Sequence, residues 1–221
     1  MHKTACGVLL VLQSLSWAQG VHPVSGRKYA PVMGVGGADW LVRPEREAEE
    51  QPDAALDAIG ISKGEVVADI GAGAGYMTWR LAGRVGPSGK VYANDIQPQM
   101  LELLRHNMEA RNLHNVETVL GTAEDPRLPI AAIDLVLLVD VYHEFSEPQK
   151  MLRRIRESLK PGGRLVLLEY RAEDPKVPIR PEHKMTVEQA KREVDAEGYR
   201  LDQVLEKLPR QHILIFRKEG N

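Results

Sequence analysis

Cysteine occurs once in the 221 residues, at Cys6, so the chain has no disulfide framework. Aromatics are scarce, 5% of the chain with two phenylalanines, while aliphatic residues are plentiful. A surplus of one charge is missing too: the net charge is −2, and no basic stripe recommends a nucleic-acid partner. No apolar run is long enough for a comfortable membrane span. Internal repeats and low-complexity segments are absent. His143, His183 and the acids near them show no compact ligand spacing, so no metal site is read from the sequence. These absences leave a soluble globular chain whose length fits one domain with short extensions.

The first residues form a pattern of their own. His2 and Lys3 precede the apolar run Ala5 to Leu15, which ends in Ser16-Trp17-Ala18 with small residues at the −3 and −1 positions. That arrangement predicts a signal peptide over residues 1–18, cleaved after Ala18, and an exported protein; without it the chain reads as cytoplasmic. Cys6 would leave with the signal. Residues 19–43, rich in glycine and proline and without a sustained period, predict an arm or lid. The remaining residues, 44–221, are expected to form one domain.

From residue 44 the chain is regular. Pro44 with Glu45 and Glu47 starts a helix; Pro52 restarts it, and Gly60 stops it. The charges Arg43, Glu45, Arg46, Glu47, Glu49 and Glu50 read as a solvated helix face. Strands are predicted at 66–70, 90–94, 116–120, 133–139 and 164–170. Helices lie between them, one over 75–84 and one opened by Pro98. Ser146-x-x-Gln149 and Thr186-x-x-Gln189 read as capping boxes. Residues 201–208 and 212–217, joined by Pro209-Arg210-Gln211, are too close for a crossover helix and predict a hairpin. Continuous apolar strands alternating with amphipathic helices imply an α/β fold, a doubly wound sheet covered by helices on both faces.

The most informative stretch is Val66-Val67-Ala68-Asp69-Ile70-Gly71-Ala72-Gly73-Ala74-Gly75-Tyr76. It reads as a buried strand ending in an acid, then a glycine-rich turn into a helix. A dinucleotide site needs G-x-G-x-x-G and binds pyrophosphate, which an acid ahead of the first glycine would repel. Here Tyr76 replaces the third glycine of that fingerprint, and Asp69 suits a cationic ligand. The acid-x-Gly-x-Gly-x-Gly run resembles motif I of class I S-adenosylmethionine (AdoMet) methyltransferases. Pro161-Gly162-Gly163-Arg164-Leu165 is similar to that family's turn before strand five. Tyr142-His143-Glu144-Phe145 resembles its Leu-His-His-Phe element, with Glu144 in place of the second histidine. The resemblance spans about residues 64–217.

The resemblance implies a seven-stranded sheet of order 3-2-1-4-5-7-6 with one antiparallel strand, and methyl transfer from AdoMet to a small-molecule acceptor. A non-catalytic AdoMet-binding module is the alternative. Asp69 would lie near the methionine ammonium, with Gly71, Gly73, Gly75 and Tyr76 under the cofactor. Asp95, 24 residues after Gly71, would accept the ribose hydroxyls, though it also reads as an N-cap before Pro98. Ile96 and Asp140 stand beside it in the expected cofactor set. Ala123, with Glu124 or Asp125, would edge the adenine, or that segment is an ordinary polar loop. His143 is the candidate base, with Tyr142 and Glu144 behind it as catalytic candidates; the competing reading is a packing histidine. Residues 171–185, with Glu169 and Tyr170 before them, would shape the acceptor pocket. Tyr29, Trp40 and Arg43 would fold over the cofactor, or Trp40 would plug the core.

Overall fold

The computed structural model describes residues 20–219. The expected signal peptide, residues 1–18, and Cys6 within it lie outside the described residues. Three short helices open the described chain: α1 (Ala38–Leu41), α2 (Arg46–Glu50) and α3 (Pro52–Ile59). Strands and helices then alternate as β1 (Val66–Ile70), α4 (Thr78–Val85), β2 (Lys90–Asp95), α5 (Pro98–Ala110), β3 (Val116–Leu120) and β4 (Ile133–Val139). The chain continues through α6 (Pro148–Ser158), β5 (Leu159–Tyr170), α7 (Val187–Asp195), β6 (Tyr199–Leu205) and β7 (Gln211–Lys218). Among the described residues, no helix is long and apolar enough to cross a membrane.

The seven strands form one sheet in the order β3-β2-β1-β4-β5-β7-β6, as expected. β1 to β5 pair in parallel, while β7 runs antiparallel to both β5 and β6. Side chains alternate across the central strands. Val67, Leu135, Leu137, Val166 and Leu168 pack with Leu56 and Leu81 on one face. Ala68, Val136, Leu138, Leu165 and Leu167 pack with Leu152, Ile155 and Val194 on the other. Burying a leucine or isoleucine side chain contributes about 1.5–3 kcal/mol, so the two aliphatic layers hold the sheet without many aromatics.

Two local expectations change. The helix read from residue 75 begins at Thr78, because Gly71, Gly73 and Gly75 all take positive φ (71°, 53° and 91°) and keep the chain in left-handed turns. The Ser146 capping box does not form. Pro148 occupies the first turn, Glu147 is the N-cap without a side-chain bond, and the Gln149 side chain instead donates to Glu197. The Thr186–Gln189 box does form, with both reciprocal bonds present.

The arm divides in two. Residues 20–30 form a bridge between Val21 and Lys28, and Arg27 donates to the His143 carbonyl (2.8 Å) and to the Glu193 carboxylate (3.0 Å). Ala30 N–H donates to the same carbonyl at 3.0 Å. This segment is a buttress behind the loop after β4, and only the stretch from Val32 onward reaches the cleft.

Candidate functional site

The C-terminal ends of β1, β2, β4 and β5 open into one cavity of about 650 Å³. That volume suits a small organic ligand, and the position is where parallel α/β sheets bind theirs. Its floor is the turn after β1, where a Cβ added to Gly71 would lie 2.4 Å from Val141 Cγ2. Gly71 and Gly73 line the cavity. Gly75 does not: a Cβ there would meet Met108 Cε at 2.8 Å, so this glycine lets α5 pack against the turn.

Three acids ring the floor. Asp69 is buried at the end of β1 and accepts a hydrogen bond from Thr78 Oγ1 at 2.6 Å. Burial pushes its carboxyl up to about 6, with the Thr78 hydroxyl opposing. Asp95 ends β2 and accepts from Gly73 N–H (3.0 Å) and Gln97 N–H (2.9 Å), with burial raising its pKa. Asp95 is not the N-cap of α5, a place Gln97 takes; its side chain holds the turn ahead of the helix, and each carboxylate oxygen keeps a second lone pair. Asp140, just past β4, takes a left-handed φ of 52°. Its Oδ2 accepts from Gln211 Nε2 at 2.7 Å, while Oδ1 is buried with no protein partner among the described residues. Burial, then the Glu50 charge, raises this carboxyl well above the ordinary range. A buried acceptor left open in a ligand-sized cavity calls for a donor or cation from the ligand.

Arg46 and Glu50 correct the solvated-face reading. They are 6% and 3% exposed and pair through Nε–Oε1 and Nη2–Oε2 contacts of 2.8 and 2.7 Å. The Arg46 guanidinium stacks 4.2 Å from the Tyr76 ring centre and lies 3.9 Å from Asp140. Tyr170 donates to Glu50 at 2.8 Å, tying β5 to α2. The i,i+4 Arg-x-x-x-Glu spacing was the available signal, but it reads equally well on a surface.

At the opposite wall stands His143. Its Nδ1 lies 2.6 Å from Glu169 Oε2, and its Nε2 lies 3.1 Å from His183 Nδ1. Glu169 is fully buried near the end of β5, and its other oxygen accepts Tyr142 N–H at 3.0 Å. A carboxylate only accepts, so Nδ1 of His143 carries a proton, and in the neutral ring Nε2 keeps a lone pair. Glu144 lies beside it in the cavity wall, pushed up to about 7 by burial. Burial and the neighbouring His143 hold His183 below the usual histidine range. Glu169 stands in the sequence as a lone acid inside the apolar run of strand five. Its partnership with His143 needs the register of β4 on β5.

Other expected residues fall on either side of the wall. Tyr76, Ile96, Ala123 and Trp40 line the cavity, as do Pro178, Ile179, Arg180 and His183 of the long loop. Tyr142 does not. Its ring is wholly buried in the core, edge-on to Phe145 at 5.7 Å, because the turn that presents His143 points its neighbour inward. Glu124 also turns away, pairing with Lys150 at 2.8 Å on the outer surface. Tyr29 packs against Gly20 and His22 in the buttress, and Arg43 stacks on Trp40 at 3.8 Å from outside. Trp40, 43% exposed, covers the cleft and is no core plug.

A methyltransferase domain family matches residues 61–209, more than half of the chain. The ubiquinone/menaquinone biosynthesis C-methyltransferase of Escherichia fergusonii is 35% identical over 118 residues, covering 52% of this chain and 46% of that protein. The chain thus matches about half the length of such curated relatives. The structure of a SAM-dependent methyltransferase from Aquifex aeolicus superposes with a TM-score of 0.79 at 26% identity, over 84% of this chain and 98% of that one. Mitomycin 7-O-methyltransferase shares the fold alone, with a TM-score of 0.62 at 19% identity over 75% of this chain and 53% of its own. Sheet order, glycine turn, acid-ringed cavity and these likenesses agree: the chain belongs to the class I, AdoMet-dependent methyltransferase domain family.

Proposed function

We propose that this protein methylates a small-molecule acceptor that enters the cavity beside His143. The observation that carries this reading is the polarity of the cleft. Acids and glycine backbone stand at one end, and the His143–Glu169 pair stands at the other, both inside about 650 Å³. AdoMet, when bound, would supply a methyl carbon to a lone pair or ring π pair of the acceptor, the carbon–sulfur bond breaking with its electrons left on sulfur. Asp69 would neutralise the ammonium, the open Oδ1 of Asp140 would accept a hydrogen bond from it, and Asp95 would hold the ribose. Gly71 and Gly73 would let the ligand lie against backbone. Trp40 and the loop carrying Ile179 and His183 would exclude water and align the acceptor, which is most of what such a displacement needs.

His143 Nε2 would receive the proton that a hydroxyl or an activated ring carbon must lose. The Escherichia fergusonii relative is named as a C-methyltransferase of ubiquinone/menaquinone biosynthesis, so a hydroxylated ring is the first acceptor class to try. The test is calorimetry with AdoMet on the wild type and Asp95→Ala, then mass spectrometry for S-adenosylhomocysteine with a panel of phenols and quinols. Binding that Asp95→Ala weakens at least about tenfold, with product formed, is expected from the loss of charge-assisted bonds to the ribose. Unchanged affinity in the variant overturns the cofactor assignment. Binding without product from any acceptor supports the non-catalytic alternative.

A further inference from the structure

We propose that His143, Glu144 and His183 form a binding site for one divalent transition-metal ion in the acceptor wall of the cavity. One ligand atom from each residue falls in a group no wider than 4.8 Å, and all three residues line the cavity. The two ring nitrogens that face each other, His143 Nε2 and His183 Nδ1, are 3.1 Å apart. Two nitrogens bound tetrahedrally at zinc distances lie about 3.3 Å from one another, so the rings already have nearly the required separation. Their planes cross at 84°, so the rings meet edge to face and do not stack.

The shell behind the rings strengthens the case. A metal-bound histidine usually donates its other N–H to a carboxylate, which fixes the tautomer and raises the basicity of the ligating nitrogen. Glu169 does this for His143 at 2.6 Å, and Tyr142 N–H holds Glu169 in turn. The buttress adds a third layer, since Arg27 and Ala30 both donate to the His143 carbonyl. Two imidazoles and one carboxylate select zinc, iron, cobalt or manganese over magnesium, which prefers an all-oxygen shell. Three protein ligands leave a fourth position facing the cavity. With His143 Nε2 on the ion and no longer a base, an acceptor hydroxyl bound there would ionise more readily, its proton passing to solvent while the oxygen stays on the ion.

Metal binding stands on these contacts alone; only its use in acceptor activation rests on the proposed methyl transfer. The test takes the full chain, strips it with a chelator, and titrates it with Zn²⁺ by calorimetry and with Co²⁺ by visible absorption. The expected result is one equivalent bound, with the intense visible bands of four-coordinate cobalt. Affinity should fall at least a hundredfold in His183→Ala, whose side chain sits on a surface loop. Glu169→Gln should weaken it about ten- to hundredfold through the orienting shell. Circular dichroism confirms the fold of each variant. No stoichiometric binding by the folded wild-type chain overturns the proposal, as does binding that His183→Ala leaves unchanged. AdoMet calorimetry on the same stripped wild-type sample separates the two readings. Cofactor binding without metal binding sinks only the ion site, and metal binding without cofactor binding sinks only the methyl-transfer reading.

Discussion

Glu169, near the end of β5, and His143, in the turn after β4, meet at 2.6 Å through Oε2 and Nδ1, and this contact decides which ring nitrogen faces the cavity and His183. Replacing Glu169 with glutamine keeps the size and an acceptor for Tyr142 N–H. It places an amide donor against Nδ1, so the ring must flip its tautomer and protonate Nε2. Turnover should fall about ten- to hundredfold, the range typical of lost orienting partners, while AdoMet affinity stays within twofold of wild type. Steady-state kinetics beside calorimetry separates the two effects, and equal losses in both would contradict the assignment.

The proposed role of Asp69 would link cofactor binding to pH. Its carboxyl is raised from 3.8 to about 6 in the folded protein, so between these values the native state holds a proton that the unfolded state has released. Stability from this group is therefore present in full below pH 3.8 and is lost as pH rises through about 6. With the cofactor's ammonium at Asp69, as proposed, binding would require the ionised form, so AdoMet affinity should weaken as pH drops below about 6. Asp69→Asn should flatten that profile, lower affinity at pH 7 and make the ligand-free protein more stable there, by about 2–3 kcal/mol at most. Calorimetry across pH and urea unfolding at pH 7 check both arms.

Gly71→Ala should cripple the floor of the cleft. The new Cβ meets Val141 at 2.4 Å, and the φ of 71° is strained for any L side chain. Left-handed backbone costs about 1–2 kcal/mol and overpacking about 1–3 kcal/mol, so a loss near 3 kcal/mol is expected. Adding Val141→Ala should recover the packing share and leave the backbone share. Denaturant curves on the single and double variants read this directly; full recovery in the double variant would show that the backbone conformation costs nothing.

Arg27→Ala tests the buttress. It leaves the buried Glu193 carboxylate without its guanidinium partner and removes one of two donors on the His143 carbonyl. Removing one partner of a buried ion pair costs about 3–5 kcal/mol, and the Ser25 hydroxyl, which donates to Glu193, softens the loss. A drop in stability of about 3 kcal/mol by urea unfolding is expected, with turnover reduced at temperatures where the variant stays folded.

The sheet was legible because its signals are local and repeated. Apolar runs such as Leu135 to Val139 announce strands buried on both faces, and Asp69 and Asp95 fall at strand ends where the fold places ligands. Caps were legible only where no proline competed: Thr186 forms its box, while Pro148 takes the helix start from Ser146. Sites made by long-range closure were not legible. His183 lies 40 residues from His143, and no spacing rule connects them. Arg46 and Glu50 look like surface charges until Tyr170 and Asp140 arrive from β5 and β4 to bury them. Tyr142 and Glu124 show the reverse limit, since residues adjacent to a site in sequence can face away from it.

The reversed direction of β7 has a consequence for how this cleft can diversify. A strand laid against the grain of its neighbours begins where they finish, so Gln211 arrives at the rim and holds Asp140. The short hairpin between β6 and β7 thus acts as an adjustable screw on one wall. Changes in its length would tilt Asp140 and reshape the ligand's seat, with the glycine floor and the parallel scaffold left untouched.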